Sequence, residues 1–156
     1  MLYGEDVYVD YRFYEKVRRP ALFPFGHGLS YTTFNLANLN IAVNDSTIDT
    51  TVTVANSGSR AGAEVVQVYI SACTPSIGRP VKELKGFKKV FLESGQEREV
   101  MVTVDKSLAT SFWDEARNAW IIEKGKYSII VGTSSRSEKT LTAPFEVEET
   151  YWQSNL

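Results

Sequence analysis

The chain's one histidine, His27, stands between two glycines in Gly26-His27-Gly28. Such a residue can act as a general base or a metal ligand. A metal site needs further His, Cys or carboxylate ligands at ligand spacing, and none flank it. Its expected role is therefore structural, with the ring bonding backbone groups in a tight turn. Cys73 is the one cysteine. It has no neighbouring histidine to make it a nucleophile, and a single thiol forms no internal disulfide. Neither a G-x-S-x-G elbow nor a glycine-rich phosphate loop occurs. The 19 acids could in principle supply a pair of facing carboxylates. Asp45, Asp49, Glu93, Glu97, Asp105 and Glu123, however, fall at strand exits and turns, where dispersed surface acids serve solubility and lack the burial that raises a catalytic pKa. No catalytic residue, metal or cofactor is assigned.

Two kinds of residue could carry sugar chemistry without catalysis. Trp113, Trp120 and Trp152 offer large rings for stacking. Trp113 and Trp120 read as core or domain interface. Trp152, in the polar Tyr151-Trp152-Gln153-Ser154, is the glycan-stacking candidate. Asn44-Asp45-Ser46 is a sequon, so Asn44 is a glycosylation candidate if the chain is secreted. The net charge is −2, and lysines and arginines are interleaved with acids. That pattern excludes a nucleic-acid partner. No run approaches the roughly 20 apolar residues of a membrane helix, so no membrane partner is expected. Met1 to Asp6 lacks the pattern of a signal peptide, and localisation stays open between secreted and cytoplasmic.

The elements that must position these residues are strands. Ile48, Thr50, Val52 and Val54 alternate with more polar neighbours, as do Val66, Val68 and Ile70, then Val100, Val102 and Val104, then Leu141 to Val147. Period-2 alternation puts one face inward. Phe87 to Leu92 and Tyr127 to Val131 are more evenly apolar and are expected as central strands. Asn56-Ser57-Gly58-Ser59 and Glu123-Lys124-Gly125-Lys126 read as turns, and Glu93-Ser94-Gly95-Gln96 as a tight hairpin. Pro144 marks an edge strand. Ser107 to Arg117 holds a short helical turn, capped by Asp105 or Ser107. The fold class is all-β: a two-sheet fibronectin-III or immunoglobulin-like sandwich of about seven strands. The sandwich spans 36–150, and 151–156 form a tail.

Residues 1–35 differ in kind. They hold nine aromatics: Tyr3, Tyr8, Tyr11, Phe13, Tyr14, Phe23, Phe25, Tyr31 and Phe34. Such a stretch is too aromatic for a disordered linker and too irregular for a sandwich strand. It reads as an extended arm packed against something outside the sandwich.

The string Leu22-Phe23-Pro24-Phe25-Gly26-His27-Gly28-Leu29-Ser30-Tyr31-Thr32-Thr33-Phe34 resembles a signature of family 3 glycoside hydrolases, the β-glucosidases and their β-xylosidase relatives. Glu5 to Tyr14 resembles the family's aromatic-Arg-aromatic segment, with Asp10 where the family often has Gly. Asn56-Ser57-Gly58, then Gly62 to Tyr69, resemble its "N-x-G…G-x-E-V-x-Q-x-Y" strand pair, and Arg79 to Phe87 its "P-x-K-x-L-x-G-F" stretch. The resemblance implies a C-terminal fibronectin-III-like domain whose arm links it to a preceding α/β domain. It places the catalytic Asp on a barrel domain and the acid/base Glu on the α/β domain, both outside these residues. Those two domains are the implied partners, and the parent reaction would be hydrolysis of terminal β-D-glucosyl residues. Tyr11, Arg12, Phe13, Tyr14, Phe23, Phe25 and His27 become the domain-interface candidates, with self-association through the exposed arm as a consequence. A carbohydrate- or polymer-binding module and a free-standing protein-interaction module are the alternatives.

Overall fold

Alternation along residues 47–56 dictates the first layer. In the computed structural model, which describes residues 4–136 and 139–155, Ile48, Thr50, Val52 and Val54 are all fully buried. The elements follow in the order α1 (Tyr11–Lys16), β1 (Phe34–Val43), β2 (Thr47–Asn56), β3 (Gly62–Ala72), β4 (Glu83–Leu92), β5 (Glu97–Asp105), α2 (Lys106–Thr110), β6 (Ser111–Asp114), β7 (Ala119–Ile122), β8 (Gly125–Gly132), β9 (Leu141–Val147) and β10 (Tyr151–Gln153). One sheet has the order β1-β2-β5 and the other β4-β3-β8-β9, all antiparallel. These are the seven strands of the expected sandwich. The core is aliphatic: Ile48, Val52 and Val54 with Val100, Val102 and Val104 from the first sheet meet Val66, Val68, Ile70, Leu92, Ile129 and Val131 from the second. A small third sheet, β10-β7-β6, adds Ile122 to the core, with Tyr151 packed against it. Pro144 lies on β9, an edge strand, where its missing N–H costs no ladder bond.

Two expectations are corrected. The 93–96 segment makes a tight turn, with Gln96 N–H donating to Glu93 C=O at 3.0 Å, but it joins no hairpin. Strand β4 pairs with β3 and β5 with β2, so this turn carries the chain from one sheet to the other. Both strands have apolar inner faces, and facing each other across the core buries both. Residues 87–92 form an edge strand rather than a central one, and Phe87 and Phe91 stand 69% and 55% exposed. The expected short helical turn is α2, with Asp105 capping the Leu108 N–H at 2.9 Å, and β6 follows at once after Thr110. Within 151–156, Tyr151–Gln153 pairs with β7.

Close approach of the sheets at one edge needs Gly86. A Cβ there would stand 2.8 Å from methyl groups of both Val102 and Val104. Thr50 faces the core with its hydroxyl buried and, among the described residues, without a hydrogen-bond partner, which costs stability. Thr50→Val replaces that hydroxyl with a methyl of similar size. It is expected to stabilise the chain by about 1 kcal/mol, a rise of ~2–4 °C in Tm by calorimetry. An unchanged or lowered Tm would show that the hydroxyl is satisfied.

Candidate docking surface

The outer face of β3 carries Gln67 and Tyr69, which alternate with the core valines and would meet water in a simple sandwich. Both are buried, to 4% and 1% exposure, because the arm lies across them. The ring of Tyr11, on α1, meets Tyr69 edge-on at 5.8 Å and Phe25 at 5.4 Å. Its hydroxyl accepts the Leu84 N–H at 2.8 Å. Glu15, one turn later, pairs with Lys82 at 3.5 Å. The Lys82 ammonium also donates to the Ser135 carbonyl and sits 5.5 Å from the Tyr69 ring centre. Tyr69 donates to Gln67 Oε1, and Gln67 Nε2 donates to the Thr133 carbonyl at 2.9 Å. Burial, with Tyr11, Asp10 and Glu15 nearby, pushes the Tyr69 hydroxyl well above the usual tyrosine range. Further along the arm, Ser135 N–H donates to Phe25 C=O at 2.8 Å. Gly26, at φ +77°, passes so close to Gln67 that no side chain fits.

The seven interface candidates therefore split. Tyr11 turns inward onto the sandwich. Arg12 is engaged within the chain by Glu83, at 3.7 Å. Phe13 and Tyr14 form an edge-to-face pair, 46% and 40% exposed. Phe23 is 74% exposed and stacks on His27 at 6.2 Å. The His27 N–H closes a turn to Pro24 C=O at 2.9 Å. Phe25 packs on Tyr11 yet keeps 41% exposure. The arm is also less extended than expected, since it contains α1. Tyr3 lies outside the described residues.

Several residues of this surface lie outside the seven candidates. Leu22, Leu29 and Tyr31 are 88%, 97% and 93% exposed. Phe87 and Phe91, on the outer face of β4, continue the apolar surface, and their i, i+4 spacing around Lys89 was the available signal. Between Phe25–Ser30 and Ala63–Gln67 runs an open groove of about 480 Å³, bordered by Phe87 and Lys89. Glu64 lines it, and burial pushes its carboxyl above the usual range despite a 2.8 Å bond from Val65 N–H.

The sugar-stacking candidates do not form a platform. Trp113 and Trp120 are paired across β6 and β7 but meet edge to face, at 73°. Trp152 pairs with Ile121, on the opposite face of the small sheet. Trp152 is 44% exposed, with the Arg117 guanidinium 4.8 Å from its ring centre and held by Asp114 at 2.9 Å. Asn44 sits exposed at the β1–β2 turn, its amide donating to Thr47 Oγ1 and Asp49 Oδ2, both at 3.0 Å.

A family model described as a fibronectin type III-like domain matches residues 64–135. The chain is 49% identical over 161 residues to the probable β-glucosidase I of Aspergillus fumigatus and 54% identical over 159 residues to the probable β-glucosidase H of that species, spanning 19% of each. Its fold superposes on the β-glucosidase of Kluyveromyces marxianus with a TM-score of 0.92 at 46% identity, covering 99% of this chain and 18% of that one. The match to β-glucosidase 3B of Thermotoga neapolitana has a TM-score of 0.89 at 38% identity, covering 97% and 21%. Residues 64–135 thus match a fibronectin type III-like domain, and nearly the whole chain is similar to one part, about a fifth, of these β-glucosidases. The arm belongs to this similarity, because the matches extend well beyond residues 64–135.

The arm's hold on the fibronectin type III-like domain can be tested at one atom. Tyr11→Phe keeps the ring contacts but leaves the Leu84 N–H without its acceptor. The expected cost is about 1–3 kcal/mol, with faster amide exchange at Leu84. Unchanged exchange and Tm would show that the arm is not held there.

Proposed function

We propose that this chain is a non-catalytic domain-packing module of a β-glucosidase-like glycoside hydrolase. Its partners on this reading are the catalytic barrel and α/β domains of the parent enzyme. The hydrolysis of terminal β-D-glucosyl residues belongs to those domains. The observation that carries the reading is the apolar surface of the arm and β4. Leu22, Phe23, Leu29, Tyr31 and Phe87 are each more than two-thirds exposed. Soluble domains rarely leave so much contiguous apolar surface in water unless another body covers it. The relatives supply such a body, since the chain spans 19% of their length. A retaining glycosidase needs two carboxylates about 5 Å apart in a pocket that tunes their pKa values. Glu64, the one carboxyl here whose pKa burial raises among the described residues, has its shift without a facing acid in the groove.

The test is a chimera in which this chain replaces the matching segment of the Kluyveromyces marxianus β-glucosidase. The chimera is expected to hydrolyse p-nitrophenyl β-glucoside, and the chain alone to show no turnover. The triple change Phe23→Ser, Leu29→Ser, Phe87→Ser removes only exposed apolar side chains. It should leave the isolated chain's Tm within about 2 °C, yet lower the chimera's by several degrees as interface burial is lost. Equal effects in both settings, or turnover by the chain alone, would sink the reading.

A further inference from the structure

Beside the apolar arm lies a cluster whose charges do not balance. Glu83, on β4, receives three cations. Arg79 Nη2 meets its Oε2 at 3.0 Å, and Arg12 Nη2 and Lys85 Nζ each meet its Oε1 at 3.7 Å. The node is mostly sheltered: the side chains of Arg79, Glu83, Lys85 and Arg12 are 6%, 17%, 19% and 34% exposed. Three positive charges around one carboxylate leave a surplus of two. Arg79 is otherwise committed. Its guanidinium donates to the carbonyls of Thr110 at 2.7 Å and Ser111 at 3.3 Å, and lies over Phe112. Lys85 is the extra residue of a β-bulge, because Val68 pairs with Gly86 and Tyr69 with Leu84. Bulges re-aim side chains, and this one brings the Lys85 ammonium to Glu83 and, at 3.0 Å, to the Leu108 carbonyl. Arg12 is the loosest member. Among the described residues, it has besides Glu83 one long bond to the Val7 carbonyl, 3.5 Å, and lies 6.0 Å from the Tyr11 ring centre. A guanidinium has five donors in a planar fork, so most of Arg12's capacity is unspent.

The surplus registers on Lys85. Burial lowers its pKa most, and the charges acting on it are one acid, Glu83, against two cations, Arg79 and Arg12. A second anion beside Arg12 and Lys85 would restore neutrality. The exposed Phe13 follows Arg12 on α1, so the node lies on the same short helix as part of the apolar surface.

We propose that Arg12 and Lys85 form a receiving site for one carboxylate side chain, an Asp or Glu presented by the body that docks on the arm. This rests on the docking reading above and names the chemistry its partner must bring at this point. Arg12 supplies the planar fork and Lys85 the second charge, with Glu83 holding both in place. The site makes docking register-specific, since an apolar surface alone permits sliding whereas a fixed charge pair does not.

Sodium acetate serves as the carboxylate probe. The isolated chain is titrated with it at constant ionic strength, with sodium chloride as control, while the Arg12 Nε and Lys85 Nζ signals are followed by nitrogen-edited NMR. Acetate should give a saturable shift at both groups and chloride none. Arg12→Gln and Lys85→Gln should each weaken the acetate response about fivefold or more. Arg12→Lys, which keeps the charge without the fork, should restore it only in part. Identical titrations with acetate and chloride, or an acetate response untouched by both Gln variants, would overturn the site. In the chimera, Arg12→Glu should lower Tm more at low salt than at high salt, and no such difference would equally count against it. Because the acetate titration needs no partner domain, its failure is separate from failure of the docking reading, which the serine triple variant tests.

Discussion

Much of this structure follows from burying β3 on both faces. Its inner residues Val66, Val68 and Ile70 meet the opposite sheet, as any sandwich strand requires. Its outer residues Gln67 and Tyr69 are polar-tipped and also leave water. Buried amides and hydroxyls must be bonded, or each costs more than burial returns. The two side chains solve half of this together, the Tyr69 hydroxyl donating to the Gln67 carbonyl oxygen. The rest comes from outside the strand, from the Thr133 carbonyl, the Tyr11 ring and Lys82. The arm is therefore part of the folding unit. A sandwich cut at residue 36 would expose Tyr69, leave Lys82 without Glu15, and free the Leu84 N–H.

A second joint fixes where the arm ends and the sandwich begins. Asn56, at the end of β2, is 1% exposed and uses its side chain in every direction. Its Oδ1 accepts from Thr32 Oγ1 and Gly58 N–H, and its Nδ2 donates to the carbonyls of Arg60 and Leu92. Its backbone bonds Gln96 and Gly95, in the turn that crosses between sheets. One amide thus ties the arm, the β2–β3 loop and the β4–β5 crossing into a corner. Gly58 is required there, because a Cβ would stand 2.8 Å from the Thr33 nitrogen. In the motif Asn56-Ser57-Gly58, a turn by composition, Asn and Gly have separate jobs: one bonds and the other makes room.

The sandwich was legible because alternation reports which face is apolar. Ile48 to Val54 and Val100 to Val104 needed nothing further, and Pro144 located an edge. What alternation does not report is what covers a face. Phe87 to Leu92 looked central because its apolar residues sit on both sides. In fact Val90 and Leu92 face the core while Phe87 and Phe91 face outward on an edge strand. The 93–96 turn has the composition of a hairpin, and composition fixes the bend without fixing which strands pair. The arm's aromatic content was plain, but its division into inward and outward rings depends on the path of a six-residue helix. Leu29 and Tyr31 belong to the surface by position rather than by any local pattern.

That short helix shows why the arm reads as a joint between two bodies. Tyr11 and Glu15, four residues apart, share the side of α1 that meets the sheet, through Tyr69 and Lys82. Phe13 and Tyr14 leave that side and stay exposed. An ordinary surface helix sets an apolar stripe against its core and polar residues against water. Here the inward side holds a tyrosine and a salt bridge, and the outward side holds two aromatic rings in contact with each other. A helix arranged this way gains little from its own domain alone. Its outward rings gain from burial only against a further surface, which is why the exposed side of α1, rather than its inward side, carries the docking proposal.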